Sequence, residues 1–327
     1  MQESNPSVPL SVEQPSGNQK AIVFIFVMVC FDLLCAGIVI PVIPALVGQF
    51  NQDALAIGLL AVTFYSAQFI STPALGILSD RYGRRPVLLI CIFGTGAGFF
   101  LFGFANALWM LFVGRLIDGF TGGNISVALA YISDLSSPEN RAKNFGLIGA
   151  AFGVGFIIGP AVGGLLSLIS VQTPALVAGI LSIIITIFGF FFLPETLSPG
   201  KRRKGIALEE LSPLKQVGDL LRPRTLRRLL FSNFAQNFAF SGLQTNFVLY
   251  TFVRFGLSPQ QNGLIFAYIG FLAGVMQGVI TGRLVKRFSE KHLAVTWVGA
   301  NDVGVCSIGS GCGSWVCLWG YDVDCNG

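Results

Sequence analysis

Long apolar runs separated by short polar loops occupy most of this 327-residue chain. A membrane-spanning helix needs roughly 20 consecutive apolar residues, whereas a spanning β-strand needs only about ten. Eight segments have the length of a helix, at about residues 21–49, 55–79, 86–106, 108–133, 143–168, 175–194, 229–253 and 262–285. The pattern therefore predicts an all-α membrane protein with about eight transmembrane helices.

The composition agrees with this prediction, because 53% of the residues are hydrophobic, only 11% are charged and the mean hydropathy is +0.71. A soluble domain has about 25% charged residues. With the amino terminus in the cytoplasm, 19 of the 21 Lys and Arg residues fall in cytoplasmic loops. Positively charged loops are retained on the cytoplasmic side of a membrane. The orientation of the protein in the membrane therefore accounts for the net charge of +5, and no nucleic-acid partner is expected.

The chain divides into five regions by composition. Residues 1–20 are polar and rich in proline, and are predicted to form a disordered cytoplasmic tail. A weak internal repeat, with a shift of 206 residues, overlays GILSDRYGRR on GRLVKRFSEK at 282–291. We therefore predict a six-helix domain at 21–195, a basic cytoplasmic linker at 196–228 and the first two helices of a second domain at 229–291.

The last region, 292–327, differs from the rest, with four of the seven Cys, three of the four Trp and no twenty-residue apolar run. The spacing of Cys306, Cys312, Cys317 and Cys325 matches no ordinary zinc pattern, so no metal site is predicted. The abrupt change in composition favours a shifted reading frame and a truncated product.

Three sequence motifs resemble those of the major facilitator superfamily. GILSDRYGRRP (76–86) resembles its loop signature, LWMLFVGRLIDGFTGG (108–123) its fourth-helix motif and GVGFIIGPAVGG (153–164) its antiporter motif in helix five. Over about residues 21–291 the chain is most similar to the tetracycline efflux and drug:proton antiporter group. The resemblance implies twelve helices in two domains, and export of small molecules by alternating access, with a bacterial plasma (inner) membrane as the default location. In a eukaryote, a vacuolar or surface membrane is equally compatible. The implied protein is a monomer driven by the proton gradient, without a cofactor.

Charged side chains inside a membrane are costly, at roughly 2.5 to 3.5 kcal/mol on insertion scales, and each is a functional hypothesis. Asp32 lies about eleven residues into the first segment, roughly 17 Å deep. Arg115 and Asp118 share one face of the fourth segment. Since the resemblance implies that helices one and four line the cavity, these three residues are candidates for proton or substrate coupling. A static Arg115–Asp118 ion pair is the alternative.

Uncharged polar residues predict a substrate pocket in an otherwise apolar cavity. Tyr65 and Gln68 share one face of the second segment. In the seventh segment, polar residues recur at helical spacing, at Asn233, Asn237, Ser241 and Gln244 or Thr245. Hydrogen bonding between helices is the alternative.

The charged loop after the second segment predicts a conformational latch. Gly76 and Gly83 are expected to permit a tight turn, and Pro86 to start the third helix. By resemblance, Asp80 contacts the start of helix eleven and Arg84 meets Asp134. The predicted latch comprises Gly76, Asp80, Arg81, Gly83, Arg84, Arg85 and Asp134. The alternative is a basic loop that only sets orientation.

Glycines at four-residue intervals predict two smooth helix faces. The fifth segment has Gly155, Gly159 and Gly163, with a bend at Pro160, and the eighth has Gly270, Gly274, Gly278 and Gly282. The resemblance implies that these helices face each other across the domain interface, so we predict a seam on which the two halves rock. Tight packing elsewhere in the bundle is the alternative.

Three functional hypotheses remain: a proton-driven exporter of drugs or other amphipathic molecules, a carrier of another small solute, and a truncated product without transport. Tetracycline exporters have an acidic residue midway along helix three where this chain has Gly98, which argues against a metal-chelated tetracycline as substrate. An enzyme is not expected, because His292 is the only histidine and no nucleotide loop or nucleophile elbow occurs.

Overall fold

The structure is a computed structural model that describes residues 16–50, 54–137, 140–198, 200, 202–203, 205 and 212–275. The chain divides into two units, Met1–Phe271 and Leu272–Gly327, and nearly all the described residues belong to the first. The predictions for Gly278, Gly282, residues 1–15 and the region 292–327 lie outside the described residues.

All the regular structure in these residues is helical. Besides a short 3₁₀ turn at Ile40–Val42, the helices in chain order are α1 (Ser16–Val39), α2 (Ile43–Gly48), α3 (Ala54–Tyr82), α4 (Arg84–Gly103), α5 (Leu108–Thr121), α6 (Asn124–Leu135), α7 (Arg141–Leu166), α8 (Thr173–Phe192), α9 (Pro213–Leu221), α10 (Arg224–Phe255) and α11 (Pro259–Val275).

Five stretches in the described part of the chain are long and apolar enough to cross a membrane. They are Lys20–Gly48, Leu55–Tyr82, Arg84–Gly103, Asn144–Leu166 and Thr173–Phe192. These stretches match the predicted segments one, two, three, five and six. The all-α membrane fold predicted from the hydropathy pattern is thereby confirmed.

The fourth predicted segment is not one continuous helix. It is divided into α5 and α6, and Gly122 and Gly123 lie between them. Two successive glycines are poor helix formers because they lose the most conformational freedom on folding. The hydropathy pattern could not detect this break, since glycine does not interrupt an apolar run.

Helix boundaries also differ at the amino terminus and in the linker. Helix α1 begins at Ser16, so the predicted disordered tail is too long by five residues. The predicted linker contains the helix α9, which the sequence reading missed. Its apolar residues Leu214, Val217, Leu220 and Leu221 recur at helical spacing. Helix α10 then begins at Arg224, directly after Pro223.

The first six predicted segments pack around two buried apolar clusters. One cluster contains Met28, Ile92 and Tyr131, and the other contains Leu46 and Phe99. Six of the helices, α1, α3, α4, α5, α6 and α8, also carry polar side chains that are buried or half-buried beside these clusters. These residues form a layer, called the polar layer below, whose members are Asp32, Gln68, Ser71, Thr95, Arg115, Asp118, Asn124 and Ser182.

The glycine stripe of α7 packs against α1, which corrects the predicted role of Gly155, Gly159 and Gly163. A Cβ atom on Gly159 would lie 2.7 Å from the Cα atom of Gly37, and one on Gly163 would overlap the carbonyl oxygen of Ile38. A Cβ on Gly155 would meet Leu33. The three glycines therefore hold α1 and α7 together within the first domain, and do not face α11.

A different face of α7 contacts α11. A Cβ atom on Gly263 would overlap the carbonyl oxygen of Pro160, and one on Gly270 would lie 2.9 Å from that of Phe156. Gly164 similarly approaches the backbone of Gln260. The predicted contact between these two helices is thus present, with Pro160 and Gly270 in it. Gly274 continues α11, and its role stays a prediction, as does rocking at the seam.

The α1–α7 packing predicts opposite effects for two glycine substitutions on α7. Gly159→Ala is expected to destabilise the protein by about 1 to 3 kcal/mol, because its methyl group has no space beside Gly37. Gly153→Ala is the matched control, since nothing lies within 4 Å of a Cβ there, and alanine is the better helix former. The thermal unfolding midpoint of the purified protein in detergent measures both. Equal midpoints for the two variants would contradict the close packing.

Candidate functional site

The break between α5 and α6 lies inside the polar layer and leaves backbone groups for side chains to satisfy. Gln68 on α3 donates from Nε2 to the carbonyl oxygen of Gly122, at 2.8 Å. Ser71, one turn further along α3, donates to the carbonyl oxygen of Gly119 at 3.2 Å. These two bonds fix the broken helix against α3, so Gln68 supports the site through the backbone.

Asp32 is held by a residue at the start of α6. Asn124 is buried and donates from Nδ2 to Oδ2 of Asp32, at 2.7 Å. The other carboxylate oxygen, Oδ1, is also buried and has no hydrogen-bond partner among the described residues. Asp32 therefore has one satisfied oxygen and one unsatisfied oxygen, as expected of a group that exchanges a proton or meets a ligand.

Arg115 and Asp118 form a buried ion pair. The Nη1 atom of Arg115 lies 3.1 Å from Oδ2 of Asp118, and the two side chains are 13% and 9% exposed. The guanidinium also lies over the rings of Phe64 and Phe102, at 5.2 and 5.0 Å from their centroids. Such ring contacts favour a cation in an apolar environment.

The structure brings the three predicted membrane charges into one layer. Asp118 lies in the same layer as Asp32, so a negative charge on either carboxylate disfavours a charge on the other. A buried polar cluster of this kind, with one positive and two acidic side chains, can bind a proton or a charged substrate. Asn124 was missed by the sequence reading, although a polar residue directly after two glycines inside an apolar segment was a usable signal.

The predicted pocket residues of the second segment line a cavity of about 380 Å³ between α3 and α9. Tyr65 is 43% exposed and lines the cavity together with Gln68 and Phe69. The structure places the linker helix α9 opposite them, which the sequence did not predict. Of the residues predicted on α10, Asn237 is exposed and Ser241 half-buried, and the side chains of Asn233 and Gln244 lie outside the described residues. Their role in the pocket stays a prediction.

The predicted contact between Arg84 and Asp134 is present. The Nε atom of Arg84 lies 3.2 Å from Oδ2 of Asp134, and its Nη1 atom lies 2.6 Å from Oδ1 of Asp80. Arg84 therefore joins the end of α3 to the end of α6. The predicted contact of Asp80 with helix eleven lies outside the described residues.

The two predicted turn glycines differ in their roles. Gly83 has a φ of 111° and lies between α3 and α4, where an L-residue with a side chain would be strained. Gly76 lies inside α3, with nothing within 4 Å of a Cβ, so the turn does not depend on it. Arg85 donates to the carbonyl oxygen of Phe190 on α8, and Arg81 lies over the ring of Tyr82.

Glu195 completes this charged cluster and was missed by the sequence reading. Its Oε1 atom accepts hydrogen bonds from the backbone N–H groups of Arg84, Thr196 and Leu197, each at 3.0 Å. Tyr131 on α6 donates to the carbonyl oxygen of the neighbouring Pro194, at 2.7 Å. The signal in the sequence was an acidic residue directly after the sixth segment, on the same predicted side of the membrane as the charged loop.

Gly98 lies against the broken helix. A Cβ atom at this position would be 2.9 Å from the carbonyl oxygen of Gly114 and 3.2 Å from Cβ of Asp118. A larger side chain does not fit here unless α4 and α5 separate. Close packing therefore accounts for the glycine at the position where the resemblance implies an acidic residue.

Known proteins resemble this chain over most of its length. The class C tetracycline resistance protein of Escherichia coli is 33% identical over 290 residues, covering 88% of this chain and 73% of that protein. The human major facilitator superfamily domain-containing protein 10 is 30% identical, covering 85% and 70%. The crystal structure of the human organic anion transporter MFSD10 (TETRAN) has a TM-score of 0.68, covering 81% of this chain and 72% of that one.

A bacterial homologue of the human lysosomal transporter Spinster, inward-facing and unoccupied, has a TM-score of 0.62 at 15% identity, covering 84% of this chain and 65% of that one. This likeness concerns the fold alone. The family profile of the Major Facilitator Superfamily matches residues 25–319. That match reaches into 292–327, where the frame shift stays a prediction. Since the profile covers most of the chain, and relatives above 30% identity align with more than four fifths of it, the chain belongs to the major facilitator superfamily of multi-pass membrane transporters.

Proposed function

We propose that the protein exports small amphipathic molecules in exchange for protons, across a plasma (inner) membrane and with its amino terminus in the cytoplasm. The observation that carries this proposal is the state of Asp32, a half-buried residue whose Oδ2 atom is bonded to Asn124 and whose buried Oδ1 atom has no partner in the described residues. The similarity to tetracycline resistance proteins supports the direction of transport.

Proton exchange at Asp32 would depend on the distance between α1 and α6. A carboxylate's affinity for a proton is set by burial, by neighbouring charges and by hydrogen bonds. Asn124 donates to Asp32 across the two helices, so a relative movement of α1 and α6 would remove this donor. Asp32 would then hold a proton with a different affinity in each conformation, as an antiporter requires.

Arg115 and Asp118 would respond to the same movement. Asp118 interacts electrostatically with Asp32, and Arg115 balances the charge of Asp118 at 3.1 Å. Loading one carboxylate with a proton changes the field at the other. The alternative is a static pair that only satisfies two buried charges. Under this alternative, removing both charges together leaves transport normal.

The substrate class follows from the cavity on α3. Its walls are largely apolar, with Tyr65, Gln68 and Thr72 as the hydrogen-bonding groups of that helix. Such a wall suits an amphipathic molecule with few polar groups. The lack of space for an acidic side chain at Gly98 supports a substrate other than a metal-chelated tetracycline.

A carrier of another small solute is the second candidate. The observation that favours it is Arg115, a buried cation over two aromatic rings, which could bind an organic anion. A product without transport activity is the third hypothesis, and the assays below would reveal it as a general loss of transport.

The charged cluster around Arg84 would act as the latch. It ties together the ends of α3, α6 and α8 at one side of the bundle. Ion pairs at such a position can hold one conformation and break in another. Glu195 would position the turn through three backbone bonds rather than through charge pairing.

Asp32→Asn is expected to abolish export driven by a pH gradient, while the protein still reaches the membrane. The amide retains shape but cannot take up a proton. Substrate counterflow, which needs no net proton movement, should persist. Both processes are measured in proteoliposomes with a panel of amphipathic drugs, and Asp32→Glu is the control that keeps the carboxylate. Undiminished gradient-driven export by Asp32→Asn would refute the proposal.

The double variant Arg115→Gln/Asp118→Asn distinguishes coupling from a static ion pair. Each single variant leaves a buried charge unpaired and is expected to cost about 3 to 5 kcal/mol of stability, whereas the double variant should recover most of it. Under the coupling proposal, the recovered double variant does not transport against a gradient. If it transports normally, the pair is static. Thermal midpoints and proteoliposome uptake provide the two measurements.

Glu195→Ala is expected to loosen the turn between α3 and α4, because three backbone N–H groups lose their acceptor. Hydrogen–deuterium exchange should rise in peptides covering residues 79–90 and 193–198, and transport should fall. The opposite loops, where Gln172 donates to Gln49 at 2.9 Å, are the internal control. Unchanged exchange in both peptides would contradict the proposed positioning role.

A further inference from the structure

A second cavity, separate from the polar layer, lies between α9 and the first turns of α10. Its volume is about 660 Å³, within the range of roughly 300 to 1,000 Å³ found for small-molecule sites. From α10 it is lined by Arg227, Leu230, Phe231 and Phe234. Intervals of three, four and seven residues place these four side chains on one face of the helix.

The opposite wall is the apolar face of α9, formed by Val217, Leu220 and Leu221. Six of the seven lining residues are therefore apolar, and the seventh is a cation. Phe231 and Phe234 are 55% and 64% exposed, so the groove offers aromatic surface to an occupant. We call this cavity the α9–α10 groove.

The charge of the groove is concentrated at one end. Arg227 lies three to seven residues before the apolar side chains of α10, which corresponds to about 4.5 to 10 Å along the axis. In the part of the chain that the structure describes, the Arg227 guanidinium makes no ion pair. The surrounding sequence, 215–228, has five cations and one acid, namely Lys215, Arg222, Arg224, Arg227, Arg228 and Asp219. The occupant should thus be negative at one end and apolar along the rest.

We propose that the α9–α10 groove binds an anionic phospholipid, with its phosphate at Arg227 and an acyl chain along Leu230, Phe231 and Phe234. Clusters of four to eight basic residues beside a membrane helix attract anionic lipid headgroups. The arginine fork matches two phosphate oxygens, and the apolar face of Leu230, Phe231 and Phe234 continues from it along α10. The proposal does not depend on the direction of transport, although the groove shares Val217 and Leu220 of α9 with the cavity on α3.

The test compares two lipids that differ only in headgroup charge, phosphatidylglycerol and phosphatidylcholine with the same acyl chains. Native mass spectrometry of the purified full chain measures the binding of each. We expect preferential binding of phosphatidylglycerol, a loss of about tenfold in its affinity in Arg227→Ala and no loss in Arg254→Ala. Arg254 is the matched control, an exposed arginine at the other end of α10.

Three outcomes would overturn the proposal: equal binding of the two lipids, equal phosphatidylglycerol binding by Arg227→Ala and the unsubstituted protein, or full competition by glycerol phosphate without acyl chains. The last outcome would identify a simple phosphate site. Arg227→Lys, which keeps the charge but not the fork, should retain the headgroup preference with lower affinity. If Arg227→Ala is not monodisperse, Arg227→Gln tests the same point.

Discussion

A charge in the interior of a membrane protein is stable only beside groups that replace its water. In the polar layer, Asn124 donates a hydrogen bond to Asp32, and Arg115 forms an ion pair with Asp118. These partners replace water that the carboxylates would bind in solution. Two aromatic rings then cover the arginine. Within the part of the chain that the structure describes, the Oδ1 atom of Asp32 has no hydrogen-bond partner. The surrounding helices hold this incompletely hydrogen-bonded carboxylate of Asp32 in place.

The break between α5 and α6 makes the hydrogen bond between Asn124 and Asp32 possible. Had α5 and α6 been one helix, the backbone of Gly122 would have been satisfied within it. Instead, Gln68 bonds that carbonyl from α3, and Asn124 begins a new helix beside Asp32. Unwound backbone at membrane depth is tolerated where it is enclosed by protein, and here the enclosing groups are themselves members of the polar layer.

Features that depend on a local sequence pattern were predicted correctly. Features that depend on which way a helix face points, or on contacts between residues far apart in the sequence, were missed or wrong. Five spans followed from hydropathy, and the contact of Arg84 with Asp134 followed from a resemblance. Asn124 and Glu195 were missed because their partners lie 92 and 111 residues away. The direction of the α7 stripe was wrong because glycines occur on two faces of α7, and spacing alone does not tell which face meets α1.

The two faces of α7 connect the seam with the polar layer. Gly155 and Gly159 hold α7 against Leu33 and Gly37 of α1, backbone to backbone, so these helices have little freedom to slide separately. Asp32 directly precedes Leu33. A shift of α7 against α11 would consequently move α1 with it, and would change the distance from Asp32 to Asn124 on α6. Close glycine packing is thus the physical route by which a movement at the seam could reach the carboxylate.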